Sequence, residues 1–480
     1  MSYSETTFDV RIWGIDIYKG KRKTTYWVRW KVAKLPPFKE PFTHVGLAKS
    51  FRSDLQSAAS KGEAFRLSDG LPVSMVRIAN SVSWYEAVVQ YVDMKWPKAA
   101  ATYRQTIAAS LTPATAVMLD EESGRPREAL IRSTLNNWVL NSNRREQADK
   151  PEDIEATLRW IKRNAPPLAN VLEPDVARKL HDAVVSKRDG KPLARSVARQ
   201  RRMILNNFLN YCGERGWLSR NPVAAIKWTA PKPSRAIDRR RVANPIQART
   251  LLREIKGTKR SGPRLYACYA AMYFAALRPE EAINLNVKNL KLPEPSWDDE
   301  HEKWVHDWGE IFVEEATPHA GSAWTDSGKP RDRRGLKHRE QGEGRPVPCP
   351  PELTAILREH VSKFGTGPAG ELFVGVSGKE VPAITWHRVW RSARKATFTE
   401  SVAASPLVGR PYDLRHAAVS TWLNAGIDPT DVAEWAGHSV EVLMQVYAKC
   451  VDGRDRVSRA KIQRALGHGR GEDFGTASAQ

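Results

Sequence analysis

Cysteine is scarce in this chain: Cys212, Cys268, Cys349 and Cys450 are the only four among 480 residues, with no C-x-x-C pair. Neither a disulfide framework nor a zinc ribbon is indicated, and a reducing cytoplasm is the expected environment. Long apolar runs are also missing: nowhere do about 18 apolar residues follow one another. The opening Met1-Ser2-Tyr3-Ser4-Glu5 lacks the basic start and apolar stretch of a secretory signal. The expectation is an intracellular protein without membrane association. Acidic residues are outnumbered, 54 against 76 Lys plus Arg, giving a formal charge of +22 and a pI near 9.9. A polyanionic partner follows, and nucleic acid fits best. Because the basic residues are spread along the chain, a generically basic soluble protein stays open.

What is present is core material. Apolar residues make up 41% of the chain and 17 residues are Trp, so a globular protein of several folding units is expected. Residues 8–45 alternate β-branched or aromatic with polar residues, as in Tyr26-Trp27-Val28-Arg29-Trp30, and read as short strands. A helical signal follows at 49–64, and Gly70-Leu71-Pro72 reads as a linker. Between 83 and 222 the apolar residues recur at spacings of three and four, the helical period. Ser83-Trp84-Tyr85-Glu86 is a capping box, followed by Trp84, Val88, Tyr91 and Val92 on one face. A later helix sets Val197, Ile204, Leu205, Phe208 and Leu209 on an apolar stripe with Arg195, Arg199 and Arg202 largely outside it. That basic face could lie on phosphates or be solvated on an ordinary bundle helix. Pro231-Lys232-Pro233-Ser234-Arg235 and Asp238-Arg239-Arg240-Arg241 read as a basic linker. Helices then alternate with a strand-rich insert at 304–348.

The expected architecture is multidomain α+β. It comprises a small β-rich domain at 1–75, an all-α domain at 78–230, a linker at 231–242, and a mixed, mainly α domain with a small antiparallel sheet at 243–466. A disordered tail is expected at 467–480.

Three clusters could carry chemistry. In Leu277-Arg278-Pro279-Glu280-Glu281, Pro279 suits the first position of a helix, which puts Arg278 at the positive helix end. An arginine there is awkward unless an anion completes the site or Glu281 pairs with it. In Pro411-Tyr412-Asp413-Leu414-Arg415-His416, a tyrosine, an arginine and a histidine can all donate to one group, and Arg415 offers a planar fork to phosphate oxygens. The alternative is a helix start capped by Asp413. In Trp435-Ala436-Gly437-His438-Ser439, the histidine sits at a helix junction, and Tyr447 lies nine positions on (447 minus 438). That is about two and a half helical turns, so contact between the two is not automatic, and each has a structural reading.

Arg-Pro-x-Glu, Asp-Leu-Arg-His, Gly-His-Ser and a tyrosine nine residues past that histidine, in this order and spacing, resemble the tyrosine recombinase (phage integrase) family. The likeness covers the third expected domain. The helical region ending in Phe208-Leu209-Asn210-Tyr211 and Asn221-Pro222-Val223 resembles the family's core-site-binding domain. Residues 1–75 resemble its arm-binding extensions loosely, and 411–450 resembles integrases of actinobacterial mobile elements.

The resemblance implies that Arg278 and Arg415 clamp a DNA phosphate, that His438 is a third activating residue, and that Tyr447 is the nucleophile. Glu281 and His416 are implied in supporting roles. Where the family commonly has a histidine three residues before the second arginine, this chain has Tyr412, a hydrogen-bond donor but a poor base near neutral pH. The hairpin lysine implied by the family falls on Lys337, with Lys329 as a second candidate, shortly before Arg345-Pro346-Val347-Pro348. Arg195, Arg199, Arg202, Arg239, Arg240 and Arg241 are the expected DNA-backbone contacts. The implied partners are double-stranded DNA attachment sites bound by a homotetramer exchanging segments near 450–466. Host DNA-bending and directionality (excisionase) factors are further expected partners. No cofactor and no metal is implied. A type IB-like topoisomerase and a non-enzymatic DNA-binding protein on the same scaffold are the rival readings. Gly365-Thr366-Gly367-Pro368-Ala369-Gly370 fits G-x-G-x-x-G only formally, because a helix precedes it and the strand-like Leu372-Phe373-Val374 follows. His301, His306 and His319 lack ligand spacing.

Overall fold

The computed structural model describes residues 6–20, 24–75, 82–119, 124–229, 236–336 and 342–447, with the single positions 459, 462, 463 and 466. The architecture is multidomain α+β, mainly helical with small antiparallel sheets. Contacts divide it into two compact units: 1–233 together with 320–330, and 234–319 together with 331–480. The tail at 467–480 and the exchange segment expected near 450–466 lie outside the described residues, apart from the single positions named above.

The first unit opens with an antiparallel meander of strands Val10–Lys19, Thr24–Val32 and Phe38–Phe42. The two-residue period of a strand turns Val28, Trp30 and Val32 inward and leaves Arg29 outside. Helix Val45–Ser60 covers this face with Ala48, Phe51, Leu55 and Ala58, the three-and-four spacing of an amphipathic helix. In the helical region, Ser83 and Glu86 form the expected capping box. Trp84 and Tyr91 of helix Trp84–Lys95 meet Phe208 of helix Arg195–Glu214 edge-on, at ring distances of 5.1 and 5.4 Å. Ile204, Leu205, Phe208 and Leu209 are buried as expected, but Val197 is exposed because Ala198 takes the inward position of that first turn.

Residues 320–330 belong to this unit although they fall inside the strand-rich insert of the second. Trp324 is buried beside Trp96, with ring centroids 5.9 Å apart. The Asn141 and Asn143 side-chain amides donate to the Ala323 and Thr325 carbonyls.

In the second unit, strands Leu290–Lys291, Gly309–Val313 and Arg345–Cys349 form an antiparallel sheet with Gly309–Val313 in the middle. Helices Pro245–Gly257, Gly262–Phe274, Pro351–Phe364, Ala383–Thr397 and Asp413–Asn424 supply most of its core. A smaller cluster joins Ala276, Val419, Leu423, Val432, Ala433, Ala436, Leu443 and Tyr447. Of the expected linker, residues 236–242 are docked here: Ile237 N–H donates to the Val446 carbonyl and Arg241 O accepts from Val408 N–H. Leu372-Phe373-Val374 is not a strand; only Glu371 bridges, to Asn286. The turn at Gly365–Gly370 ties the chain back to Asn286 and Val287 instead of continuing extended.

Candidate active site

The site is built around Glu281, one turn into the short helix Pro279–Ala282. Its carboxylate accepts from the Arg278 backbone N–H at 2.9 Å and from Arg278 Nη1 at 2.6 Å. It also accepts both terminal nitrogens of Arg345, at 3.1 and 2.8 Å. Glu281 and Arg345 are 2% and 1% exposed, so this is a desolvated ion-pair network in which geometry must offset the cost of burial. Burial alone would raise the Glu281 pKa; the charges of Arg345 and Arg278 outweigh it and hold the carboxyl down at about 2.

Arg345 was not among the expected site residues. The signal for it lies in Arg345-Pro346-Val347-Pro348-Cys349, where strand alternation puts Arg345 on the same buried face as Val347 and Cys349. An arginine on that face needs buried acceptors, and here they are the Glu281 carboxylate and the Trp435 carbonyl.

The two helix ends of the Gly-His-Ser segment complete the cluster. Arg278 Nη2 donates to the Gly437 carbonyl at 2.6 Å, and Arg345 Nε donates to the Trp435 carbonyl at 2.9 Å. Gly437 ends helix Pro429–Ala436 in the left-handed region, at φ 64°. A Cβ there would lie 3.1 Å from Arg345 Cζ and 3.2 Å from Arg278 Nη1, so the glycine also makes room for two guanidinium groups.

Arg415, on the first turn of helix Asp413–Asn424, is fully buried. Its terminal nitrogens donate to the Ala276 and Ala436 carbonyls, and Nη2 also reaches His438 Nε2 at 2.9 Å. Ala276 holds a left-handed conformation, φ 48°, which turns its carbonyl into the site. Since a guanidinium only donates, His438 accepts through Nε2 and carries its hydrogen on Nδ1. Burial, then the charges of Arg415 and Arg278, push His438 down to about 3, so the ring is neutral. Arg415 Nε and His438 Nδ1 are buried with no hydrogen-bond partner among the described residues. Three guanidinium groups against one carboxylate leave a local charge of 3 − 1 = +2, with two donors unused.

Tyr447 closes helix Val440–Tyr447 and is fully buried. Its ring centroid is 6.2 Å from that of His438 and 5.7 Å from that of His416. The Tyr447 hydroxyl lies 2.9 Å from His416 Nδ1, and the Tyr412 ring packs edge-on against His416 at 4.9 Å. The fold therefore gathers Arg278, Glu281, Tyr412, Arg415, His416, His438 and Tyr447 in one place. Lys337 lies outside the described residues, and Lys329 belongs to the first unit.

The expected backbone-contact arginines divide. Arg195 and Arg199 are exposed on their helix and Arg239 is exposed on its turn. Arg202 instead turns inward, donating to the Val223 and Ile226 carbonyls and stacking on Trp228 at 5.1 Å. It fastens the end of the helical region rather than lining an open face. Arg240 is engaged with Asp238 at 2.7 Å, and Arg241 lies 3.9 Å from the buried Asp413. Among the described residues no group of three or more His, Cys, Asp or Glu is placed to hold a metal ion. No helix among them is long and apolar enough to cross a membrane.

No family model and no curated protein matches the sequence. Solved structures similar to it include the Tn1549 transposon integrase in complex with transposon right end DNA, at 16% identity and a TM-score of 0.43. That match covers 67% of this chain and 96% of that one. The XerH site-specific recombinase bound to its difH substrate is 12% identical, with a TM-score of 0.38, covering 75% of this chain and 96% of that one. The lambda integrase bound to DNA is 13% identical, also with a TM-score of 0.38, covering 62% and 89%.

Proposed function

We propose that the chain is a tyrosine-type site-specific DNA recombinase, an integrase that cuts and rejoins DNA through a covalent bond to Tyr447. The observation that carries this reading is the buried, net-positive pocket of Arg278, Arg345 and Arg415 beside the Tyr447 hydroxyl, with Arg415 Nε and His438 Nδ1 unused. A desolvated site with net positive charge and donors to spare suits an anion, and a phosphodiester supplies the two non-bridging oxygens that suit a guanidinium fork.

In this mechanism Tyr447 Oη attacks the phosphorus in line, and Arg278, Arg415 and His438 stabilise charge on the non-bridging oxygens. Lys337 protonates the leaving 5′-oxygen. The covalent 3′-phosphotyrosine preserves the bond energy, so a 5′-hydroxyl from a second strand reverses the step without ATP. Tyr447 is fully buried, so its hydroxyl must be uncovered for a phosphate to reach it. Arg195, Arg199 and Arg239 are the exposed candidates for backbone contacts. The working form is a homotetramer on two paired attachment sites of a bacterial mobile element, in the cytoplasm, with DNA-bending and directionality factors as accessory partners.

The test is a nicked suicide duplex carrying the element's own junction, incubated with wild type and Tyr447→Phe and resolved on a denaturing gel. A covalent band from wild type alone is expected. DNA binding without a band points to a non-enzymatic scaffold, and relaxation of supercoiled plasmid without a defined junction points to a topoisomerase.

A further inference from the structure

Tyr412 occupies the position from which a histidine could receive a proton, which leaves the Tyr447 hydroxyl without an assigned acceptor in the reaction above. Phenols are weak nucleophiles until the proton is removed, so that gap is chemical as well as formal. His416 lies one residue past Arg415 on the same turn, half-buried, and its Nδ1 is 2.9 Å from Tyr447 Oη. That distance is within the reach required of a general base.

We propose that His416 is the catalytic proton acceptor for the Tyr447 hydroxyl, working from the tautomer that carries its hydrogen on Nε2. The assignment rests on the recombinase reading. As the Oη–P bond forms, the phenolic proton passes to His416 Nδ1 and the ring becomes imidazolium. The P–O5′ bond breaks, and the leaving oxygen takes its proton from the general acid, Lys337. In the rejoining step a 5′-hydroxyl gives its proton back to the now neutral general acid as it attacks phosphorus, the P–Oη bond breaks, and His416 returns its proton to the departing phenolate.

The surroundings make this base dependent on substrate. His416 is faced by Arg415 on its own helix, Arg410 just before that helix, Arg241 of the turn Arg239–Arg241, the ring of Tyr412, and His438 and Tyr447 from the last two helical segments. Burial, then the charges of Arg415, Arg410 and Arg241, push it down to about 3. A phosphate seated on Arg415 and Arg278 offsets the nearest of those charges and raises the affinity of His416 for a proton. The acceptor is thereby strengthened when a target phosphate is bound and weak otherwise, which limits activation of Tyr447 away from a seated phosphate.

The experiment is single-turnover cleavage of the suicide duplex by wild type and His416→Gln. Each is made with tyrosine or a ring-fluorinated, more acidic tyrosine at 447. Each is assayed on normal DNA and on DNA with a 5′-bridging phosphorothiolate, whose sulfur leaves without a proton. His416→Gln should lose about 10²- to 10⁴-fold in rate, with binding unchanged. Fluorotyrosine should recover part of the loss and the phosphorothiolate should recover none. A variant within about threefold of wild type, a loss repaired by the phosphorothiolate, or a loss repaired by neither change overturns the assignment; the last makes His416 a positioning residue. If wild type itself forms no adduct, the recombinase reading fails instead.

Discussion

Each unit buries arginine, and the two do so differently. In the first unit Arg104, 2% exposed, stacks on Trp96 at 4.7 Å. It donates through Nε to the Trp96 carbonyl and through Nη1 to the Trp324 carbonyl, and both terminal nitrogens bind Asp326, at 2.7 and 2.9 Å. One guanidinium meets one carboxylate. In the second unit Arg278 and Arg345 share the Glu281 carboxylate, while Arg415 meets two carbonyls and His438, and its Nε has no partner among the described residues. The first arrangement is electrostatically closed and holds residues 320–330 in the fold. The second is open, which costs stability unless an anion arrives. Residue type and burial are alike in the two places; the charge balance separates architecture from a binding site.

Removing Glu281's charge tests that contrast most severely. Glu281→Gln removes the carboxylate that faces the buried Arg345 and Arg415 and the partly buried Arg278, and should destabilise the second unit by about 3–5 kcal/mol. Added inorganic sulfate should restore part of the loss by occupying the positive pocket. Thermal melting with and without sulfate measures both, and a variant as stable as wild type and indifferent to sulfate would falsify the charge argument. In the first unit Asp326→Ala is the matching change. Because the Asp326 side chain is 70% exposed, water can reach the abandoned guanidinium. The cost should be about 1–3 kcal/mol, nearer that of a lost charged hydrogen bond. It should appear as loosened packing of Trp324 in its fluorescence, with no response specific to sulfate.

Gly437→Ala probes the open site more gently. A left-handed alanine costs roughly 1–2 kcal/mol, and the added Cβ presses on the Arg345 and Arg278 guanidinium groups. Cleavage should fall further than stability, because the phosphate-clamping Arg278 is displaced together with Arg345, which shares Glu281 with it. Equal modest losses in both would show that the glycine serves the turn alone.

Which of these features could be read from the sequence follows from how far apart the partners are. The Ser83–Glu86 capping box and the Arg278–Glu281 pair are three residues apart, and helix geometry alone brings such residues together. The motif around Arg415, His438 and Tyr447 was visible through its resemblance, although the meeting of His416 with Tyr447 was not. Arg345 reaches Glu281 across 64 positions and Arg104 reaches Asp326 across 222. No local rule joins residues so distant. Only the sheet that turns Arg345 inward, and the return of 320–330 to the first unit, create those pairs. Arg202 misled for a related reason: helical periodicity puts it on the basic side, but Trp228 and two carbonyls after the helix capture it.

Acid provides the most symmetrical test, because the two units should respond with opposite signs. In the second unit His416 and His438 are held at about 3 against an ordinary 6.5. Above pH 6.5 they are neutral folded or unfolded. As the pH falls toward 3, the unfolded chain takes up protons that the folded chain refuses, so stability declines through that window. Glu281, at about 2 against an ordinary 4.5, adds a loss of the same sign below pH 4.5. In the first unit, burial lifts Glu40 to about 7 against the pull of Arg220. There the folded chain holds a proton between pH 7 and 4.5 that the unfolded chain releases, so stability rises as the pH falls. Hydrogen exchange between pH 7 and 5, corrected for intrinsic rates, should show protection falling in helix Asp413–Asn424 and holding or rising in strand Thr24–Val32. Parallel changes in the two segments would mean that His416, His438 and Glu40 do not set the acid response. The sulfate experiment would then stand alone in separating the open arginine site from the closed one.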